Sequence, residues 1–77
     1  MKNMIFNGFT LKYHKSINVY VNEEMKRVIF ISKNNDEIHG MLEFNESNKV
    51  KIHPRWNVNF SVENTEVIID VNYSEDE

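Results

Sequence analysis

Hydrophobic and polar residues alternate along most of this chain with a period of two. Phe9, Leu11 and Tyr13 are separated by polar residues, and the same alternation continues over residues 17–21 and 56–62. Successive side chains of a β-strand point to opposite faces of its sheet, so this period predicts strands with one buried face. The pattern indicates a domain built from β-strands.

Short polar segments interrupt the alternation at residues 22–24, 33–36, 45–48 and 63–65. They are rich in Asn, Asp and Glu, and Asn and Asp accept the positive φ angles of tight turns. Strands joined by such short turns predict an all-β fold, a small antiparallel meander of about six strands that forms a barrel or a sandwich. A short helix within residues 21–27 is left open as an alternative.

Two predicted strands have features of their own. Residues 28–31 are a continuous apolar run, which predicts a central strand covered on both faces. In the next strand, strict alternation places Ile38, Gly40, Leu42 and Phe44 on one face. A glycine inside a strand favours a bulge or a close approach of the backbone to another group.

The segment Gly40-Met41-Leu42-Glu43-Phe44-Asn45 resembles the first Sm motif of Sm-like and other SH3-like barrels. The resemblance covers about 25 residues of strand, Asn-rich turn, strand, turn and strand. It implies a small bent barrel that binds RNA or single-stranded DNA. The chain departs from the Sm pattern because it opens with strands rather than a helix, and because no second motif with Arg-Gly follows Trp56.

The amino-acid composition supports a β-sheet fold and narrows the expected source and cellular compartment of the protein. The chain has eight Ile and eight Val but two Leu and no Ala, and β-branched residues favour strands. Twelve Asn, with many Lys and Ile, are typical of an AT-rich genome, such as that of a low-GC bacterium or its phages. The absence of cysteine excludes disulfides and thiolate metal sites, and no apolar run is long enough to span a membrane. We therefore expect a cytoplasmic protein.

Charge is unevenly distributed along the chain. Residues 1–60 carry nine basic and six acidic residues, whereas residues 61–77 carry six acidic residues and no basic one. We expect one compact β domain over residues 1–73 and an acidic tail over residues 74–77. A negative stripe with an apolar point fits a basic groove on a protein partner. The predicted partner-binding residues are Glu63, Glu66, Ile68, Asp70, Glu75, Asp76 and Glu77.

A basic strand offers an alternative site. Alternate positions before and after Pro54 are basic, and an aromatic residue adjoins them. Cations along a groove, with an aromatic ring for base stacking, are typical of small barrels that bind single-stranded nucleic acid. The residues of this alternative are Lys49, Lys51, His53, Arg55 and Trp56.

No set of residues predicts catalysis. The serines have no Gly-x-Ser-x-Gly context, and two glycines are too few for a phosphate-binding loop. His14, His39 and His53 stand at strand positions opposite the apolar face, which predicts three solvent-facing side chains. We expect no enzymatic activity, no metal and no cofactor.

The sequence thus favours a small protein-interaction module. More specifically, we expect an inhibitor from a phage or mobile element that binds a host nucleic-acid-handling or defence protein. The alternatives are an SH3-like or Sm-like nucleic-acid-binding barrel and a homo-oligomeric assembly subunit. Homodimerisation by strand pairing is expected at residues 5–6 or 67–71, where apolar strand residues approach the predicted sheet edges.

Overall fold

The computed structural model describes residues 1–73, and within them the fold is all-β: eight strands in two sheets that pack as a small sandwich. Residues 74–77, predicted as an acidic tail, lie outside the described residues. The strands are β1 (Lys2–Phe6), β2 (Phe9–Tyr13), β3 (Ile17–Asn22), β4 (Arg27–Ser32), β5 (Ile38–Phe44), β6 (Val50–Pro54), β7 (Val58–Glu63) and β8 (Glu66–Val71).

The first sheet has the strand order β1-β2-β8-β7, and the second has the order β3-β4-β5-β6. The second sheet is an antiparallel meander, as predicted. The first contains one parallel pair, β2 with β8, in which Leu11 lies beside Val67. The prediction of an antiparallel meander throughout is therefore wrong at this pair. The chain leaves the first sheet after β2, builds the whole second sheet, and returns to place β8 beside β2.

The short helix that the sequence left open within residues 21–27 is absent from the described part of the chain. β3 continues to Asn22, and β4 begins at Arg27 after a tight turn. Asn22 Oδ1 accepts a hydrogen bond from the Met25 N–H at 3.0 Å, which closes the turn locally. Four residues between strands leave room for a turn and not for a helix.

Asparagine closes many of the turns. Asn7, Asn48, Asn57 and Asn64 all have positive φ angles between 46° and 60°. Asn7 is followed by Gly8, which has a φ of 82°, so this Asn-Gly pair makes the two-residue hairpin between β1 and β2. The hairpin adds β1, which brings the strand count to eight rather than about six.

The core lies between the two sheets and consists of the inward side chains of both. Phe44, the last residue of β5, packs with its ring centroid 5.3 Å from that of Phe6 and 5.2 Å from that of Phe9. Phe30 and Phe60 make a similar contact at 5.9 Å. The buried apolar residues are Phe9, Leu11, Ile17, Val28, Phe30, Leu42, Phe44, Val67 and Ile69.

A β-bulge in β5 reverses two side chains relative to strict alternation. The register with β4 pairs Phe30 with Gly40 but Ile31 with Ile38, so His39 is the extra residue. As a result His39 and Gly40 both point inward and are buried, whereas Ile38 points outward and is 41% exposed. The sequence predictions that placed Ile38 inside and His39 outside are therefore wrong, because alternation shifts by one residue at the bulge.

Candidate docking surface

The outward side of the second sheet carries an apolar patch, which we call the hydrophobic face. The cross-strand registers place Tyr20, Ile29, Met41 and His53 in one row across all four strands. The pair Ile31 and Ile38 lies in the adjacent row. The hydrophobic face consists of Tyr20, Ile29, Ile31, Ile38 and Met41.

These side chains are open to solvent to different degrees. Tyr20 is 55% exposed and Ile38 is 41% exposed, while Ile29, Ile31 and Met41 are half-buried. The prediction that residues 28–31 are covered on both faces is therefore wrong for the outer side. No strand or helix of residues 1–73 packs over the outer side of the second sheet, because the two sheets pack against each other through their inner faces.

The hydrophobic face is concave at its β5–β6 end. A recess of about 250 Å³ is lined by Ile29, Ile38, Met41, His53 and Arg55. A neighbouring recess of about 440 Å³ is lined by Asp36, Glu37, Ile38, Arg55 and Trp56. Ile38 and Arg55 line both, so the two recesses form one continuous depression with an apolar floor and a charged border.

An ionic cluster borders the hydrophobic face. Glu43 accepts hydrogen bonds from His53 Nε2 at 3.0 Å and from an Arg27 Nη at 3.4 Å. The hydrogen bond from His53, helped by the positive charge of Arg27, lowers the pKa of the Glu43 carboxyl below its usual value. Lys51 and Arg55 are exposed on the β6 side, whereas the exposed Asp36 and Glu37 line the larger recess, so the border carries charges of both signs.

The predicted acidic residues of the described chain share the outward face of the first sheet. Glu63 and Glu66 are cross-strand partners, and Ile68 and Asp70 continue along β8 on the same side. Glu66 is paired with Lys12, whose Nζ lies 3.0 Å from a Glu66 carboxylate oxygen, and Ile68 is half-buried. We call Glu63, Glu66, Ile68 and Asp70 the acidic face. The remaining predicted residues, Glu75, Asp76 and Glu77, lie outside the described residues.

The structure brings part of the predicted basic set beside the predicted aromatic, because Arg55 and Trp56 line the same recess. Lys51 and His53 point outward from β6, and Lys49 and Arg55 flank the strand and are exposed. The Trp56 ring also packs against the buried His39 ring, nearly parallel, with centroids 5.3 Å apart. One face of the indole is thus occupied by the protein itself.

A polar network fills the space that His39 enters. His39 Nδ1 lies 2.7 Å from the Trp56 carbonyl oxygen, so Nδ1 carries the proton and donates it. His39 Nε2 lies 3.5 Å from the Tyr73 hydroxyl, which is 3.4 Å from Ser16 Oγ. His39 is fully buried and Ser16 is 6% exposed, so this network is internal and links β5 to the segments that follow β2, β6 and β8.

The other two histidines are half-buried and hydrogen-bonded. His14 Nδ1 lies 2.8 Å from Ser16 Oγ, and His53 bonds Glu43 as described above. Within residues 1–73, no three His, Asp or Glu side chains are grouped to hold a metal ion.

Sequence reasoning missed the hydrophobic face, although a signal for it was present. The continuous run at residues 28–31 requires a cover on each side, and a two-layer fold of this size supplies one cover only. Ile38 was not predicted as part of the face, because strict alternation assigned it to the core and the sequence does not show the bulge.

The described residues contain no helix, and hence none of the length and hydrophobicity needed to cross a membrane. Comparison of the chain with protein-family models, curated proteins and solved structures gives no match.

Proposed function

We propose that this protein is a non-catalytic protein-binding module and that the hydrophobic face is its docking surface. The observation that carries the proposal is the apolar patch that spans the second sheet and remains exposed. Apolar patches with polar borders on small soluble domains are typical of protein–protein interaction sites.

The shape of the face favours a macromolecule over a small substrate. The two recesses are open depressions on the outside of a sheet, and their shared residues Ile38 and Arg55 join them into one surface. Small-molecule sites, by contrast, are closed clefts that bury most of their ligand. None of the three histidines is a free imidazole at the face: His39 is in the interior, His14 is hydrogen-bonded to Ser16, and His53, which lines one recess, is hydrogen-bonded to Glu43.

The border defines the chemistry of the partner. Lys51 and Arg55 are exposed on one side of the depression, and the exposed Asp36 and Glu37 line its larger recess, while Arg27 and His53 both bond Glu43. A complementary surface presents an apolar side chain for the depression at Ile38, acidic side chains toward Lys51 and Arg55, and a basic side chain toward Asp36 and Glu37. The partner is therefore a protein with an apolar anchor flanked by charges of both signs.

The narrower hypothesis from the sequence is that such a partner is a host nucleic-acid-handling or defence protein that a phage or mobile-element protein inhibits. Its support is the AT-rich composition together with the small size of the chain.

The test is a matched pull-down from the lysate of a low-GC bacterium, carried out with and without nuclease. Tagged wild-type protein is compared with Ile38→Asp in the hydrophobic face and with Ile5→Asp on the outer side of the first sheet, where Ile5 is 76% exposed. We expect a protein that the wild type and Ile5→Asp retain and Ile38→Asp loses. Retention by Ile38→Asp with loss in Ile5→Asp would contradict the proposal, and so would material that disappears on nuclease treatment.

A further inference from the structure

Strand β3 is an edge of the second sheet, and half of its backbone groups face away from the sheet. Among the described strands it pairs with β4 alone. On β4, the Ser32 N–H donates to the Glu37 carbonyl on the β5 side. Since bonding direction alternates along a strand, the even-numbered residues of β4 bond toward β5 and the odd-numbered ones bond toward β3.

The register then identifies the free groups of β3. On β3, the residues opposite the odd-numbered β4 residues bond to β4 through their backbone N–H and C=O groups. These β3 residues are Asn18, Tyr20 and Asn22. Val19 and Val21 therefore direct both N–H and C=O to the open edge. No backbone hydrogen bond outside the β3–β4 ladder involves either residue within the described chain, whereas the Ile17 N–H is already donated to the His14 carbonyl at 3.1 Å.

This edge lacks the features that block strand addition. Natural edge strands are protected by charged residues, proline or bulges. β3 has the sequence INVYVN, without charge or proline, and its ladder with β4 has no bulge. The other edges differ, because β6 contains Lys51 and ends at Pro54, β7 ends at Glu63, and β1 begins with Lys2.

We propose that a second copy of this chain pairs with β3, antiparallel, about a two-fold axis through Tyr20. Residues opposite one another in an antiparallel pair point to the same face of the sheet. A two-fold axis normal to the sheet must therefore set one residue opposite its own copy. An axis at Tyr20 sets Val19 opposite Val21 of the second copy. These two valines exchange two hydrogen bonds on each side of the axis, which satisfies all of their free groups.

The register with its axis one residue earlier in β3, at Val19, is excluded by the existing hydrogen bonds. An axis through Val19 would set Ile17 opposite Val21 of the second copy, and that pair requires the Ile17 N–H. This group is already held by the His14 carbonyl. The Tyr20 axis uses only groups that are free.

The β3 side chains of the two copies are compatible with one another at this junction. Tyr20 is 55% exposed and Val21 is 39% exposed, and pairing covers both. The two Tyr20 rings meet on the outer side, so the row of Tyr20, Ile29 and Met41 continues into the same row of the second copy. Asn18 lies opposite Asn22 of the second copy, where the two amides can exchange a hydrogen bond. Because β3 is uncharged, no like charges are brought together.

The first experiment is the mass in solution by sedimentation equilibrium over a range of concentrations. We expect the wild type to approach twice the chain mass of 9.2 kDa as concentration rises. Tyr20→Lys places two like charges at the axis and is expected to weaken self-association by roughly tenfold or more. Ile5→Lys, a charge on the exposed edge strand β1, is the matched control and is expected to dimerise as the wild type does.

The register is tested by cross-linking, because the chain has no cysteine of its own. Mild oxidation of Tyr20→Cys is expected to give a disulfide-linked dimer, since residue 20 opposes itself at a Cα separation of about 4.5 Å in a pair without mutual hydrogen bonds. Asn18→Cys, which opposes residue 22, is expected to cross-link far less. A wild type that keeps the single-chain mass up to its solubility limit would overturn the proposal, and cross-linking of Asn18→Cys in preference to Tyr20→Cys would overturn the register.

Discussion

Ile31 and Ile38 are cross-strand partners on the outer side of the second sheet, where two aliphatic side chains meet in solvent. The pairing exists because the bulge in β5 inserts His39 between Ile38 and Gly40 and turns the isoleucine outward. One local irregularity thus adds an apolar residue to the hydrophobic face and a histidine to the interior. The docking surface and the buried polar network have the same structural origin.

Gly40→Ala is expected to destabilise the fold by about 2–3 kcal/mol, because the position has no room for a methyl group. A Cβ at residue 40 would lie 2.8 Å from the His53 carbonyl oxygen and 2.8 Å from a ring carbon of Phe60. Gly8→Ala is the control, since it meets no atom within 4 Å and costs only the strain of a positive φ, about 1 kcal/mol. Urea unfolding measures both. Equal losses in the two variants would show that the close approach at Gly40 is relieved at little cost.

His39→Leu is expected to cost about 1–3 kcal/mol of stability, because leucine is similar in size but cannot hydrogen-bond. The substitution removes the Nδ1–H donor of the Trp56 carbonyl and leaves that oxygen without its partner. His53→Leu, at a half-buried surface position, is the comparison and is expected to cost less than about 1 kcal/mol. Thermal unfolding of the two variants tests the difference. A His39→Leu protein as stable as the wild type would contradict the structural role of the network.

The ionic cluster at the hydrophobic face is expected to weaken in acid. The pKa of Glu43 is lower in the folded state than its ordinary value near 4.5, so its ionised form contributes stability above that value. The contribution is lost as the pH falls through the lowered pKa of the folded state. Stability of the wild type and Glu43→Gln, measured by urea unfolding between pH 7 and pH 2 or so, is expected to converge at the acidic end.

The matched control for this pH dependence is Glu46→Gln, in the exposed turn before β6. It is expected to leave the acid-dependent loss of stability as it is in the wild type. If Glu43→Gln instead loses stability over the same pH range as the wild type, the bonds from His53 and Arg27 do not couple Glu43 to folding.

Much of the fold was predictable from local chemistry. Most of the strands follow from the alternation of apolar and polar residues, β4 follows from the continuous apolar run at residues 28–31, and the Asn-rich segments mark the turns between them. Strand β1 was expected only as a sheet edge at residues 5–6, although Asn7-Gly8 is the pair that two-residue hairpins prefer.

The rest depends on contacts between distant segments, which alternation does not encode. The parallel pairing of β2 with β8 places residues 67–71 in the interior of a sheet, so their prediction as an edge for dimerisation is wrong. The bulge at His39 depends on how β5 meets β4 and on the ring of Phe60 beside Gly40. Trp56 likewise packs on a histidine that strict alternation had placed in solvent.

The acidic face stays a prediction as a binding surface. The structure brings Glu63, Glu66, Ile68 and Asp70 to one side of the first sheet, as their spacing implied, but Lys12 neutralises part of its charge. Because the two faces lie on opposite sides of the sandwich, a partner bound to one leaves the other free. Mapping which face contacts a bound partner therefore distinguishes binding at the hydrophobic face from binding at the acidic face.

The most direct test of the docking surface is NMR of isoleucine methyl groups during titration with the captured partner. The eight isoleucines sample the whole molecule: three lie on the outer side of the second sheet (Ile29, Ile31, Ile38), two on the outer side of the first (Ile5, Ile68), and three inside the sandwich (Ile17, Ile52, Ile69). We predict that the first three signals shift or broaden while those of Ile5 and Ile68 stay in place. Shifts confined to Ile5 and Ile68 would contradict the account and assign docking to the acidic side of the molecule.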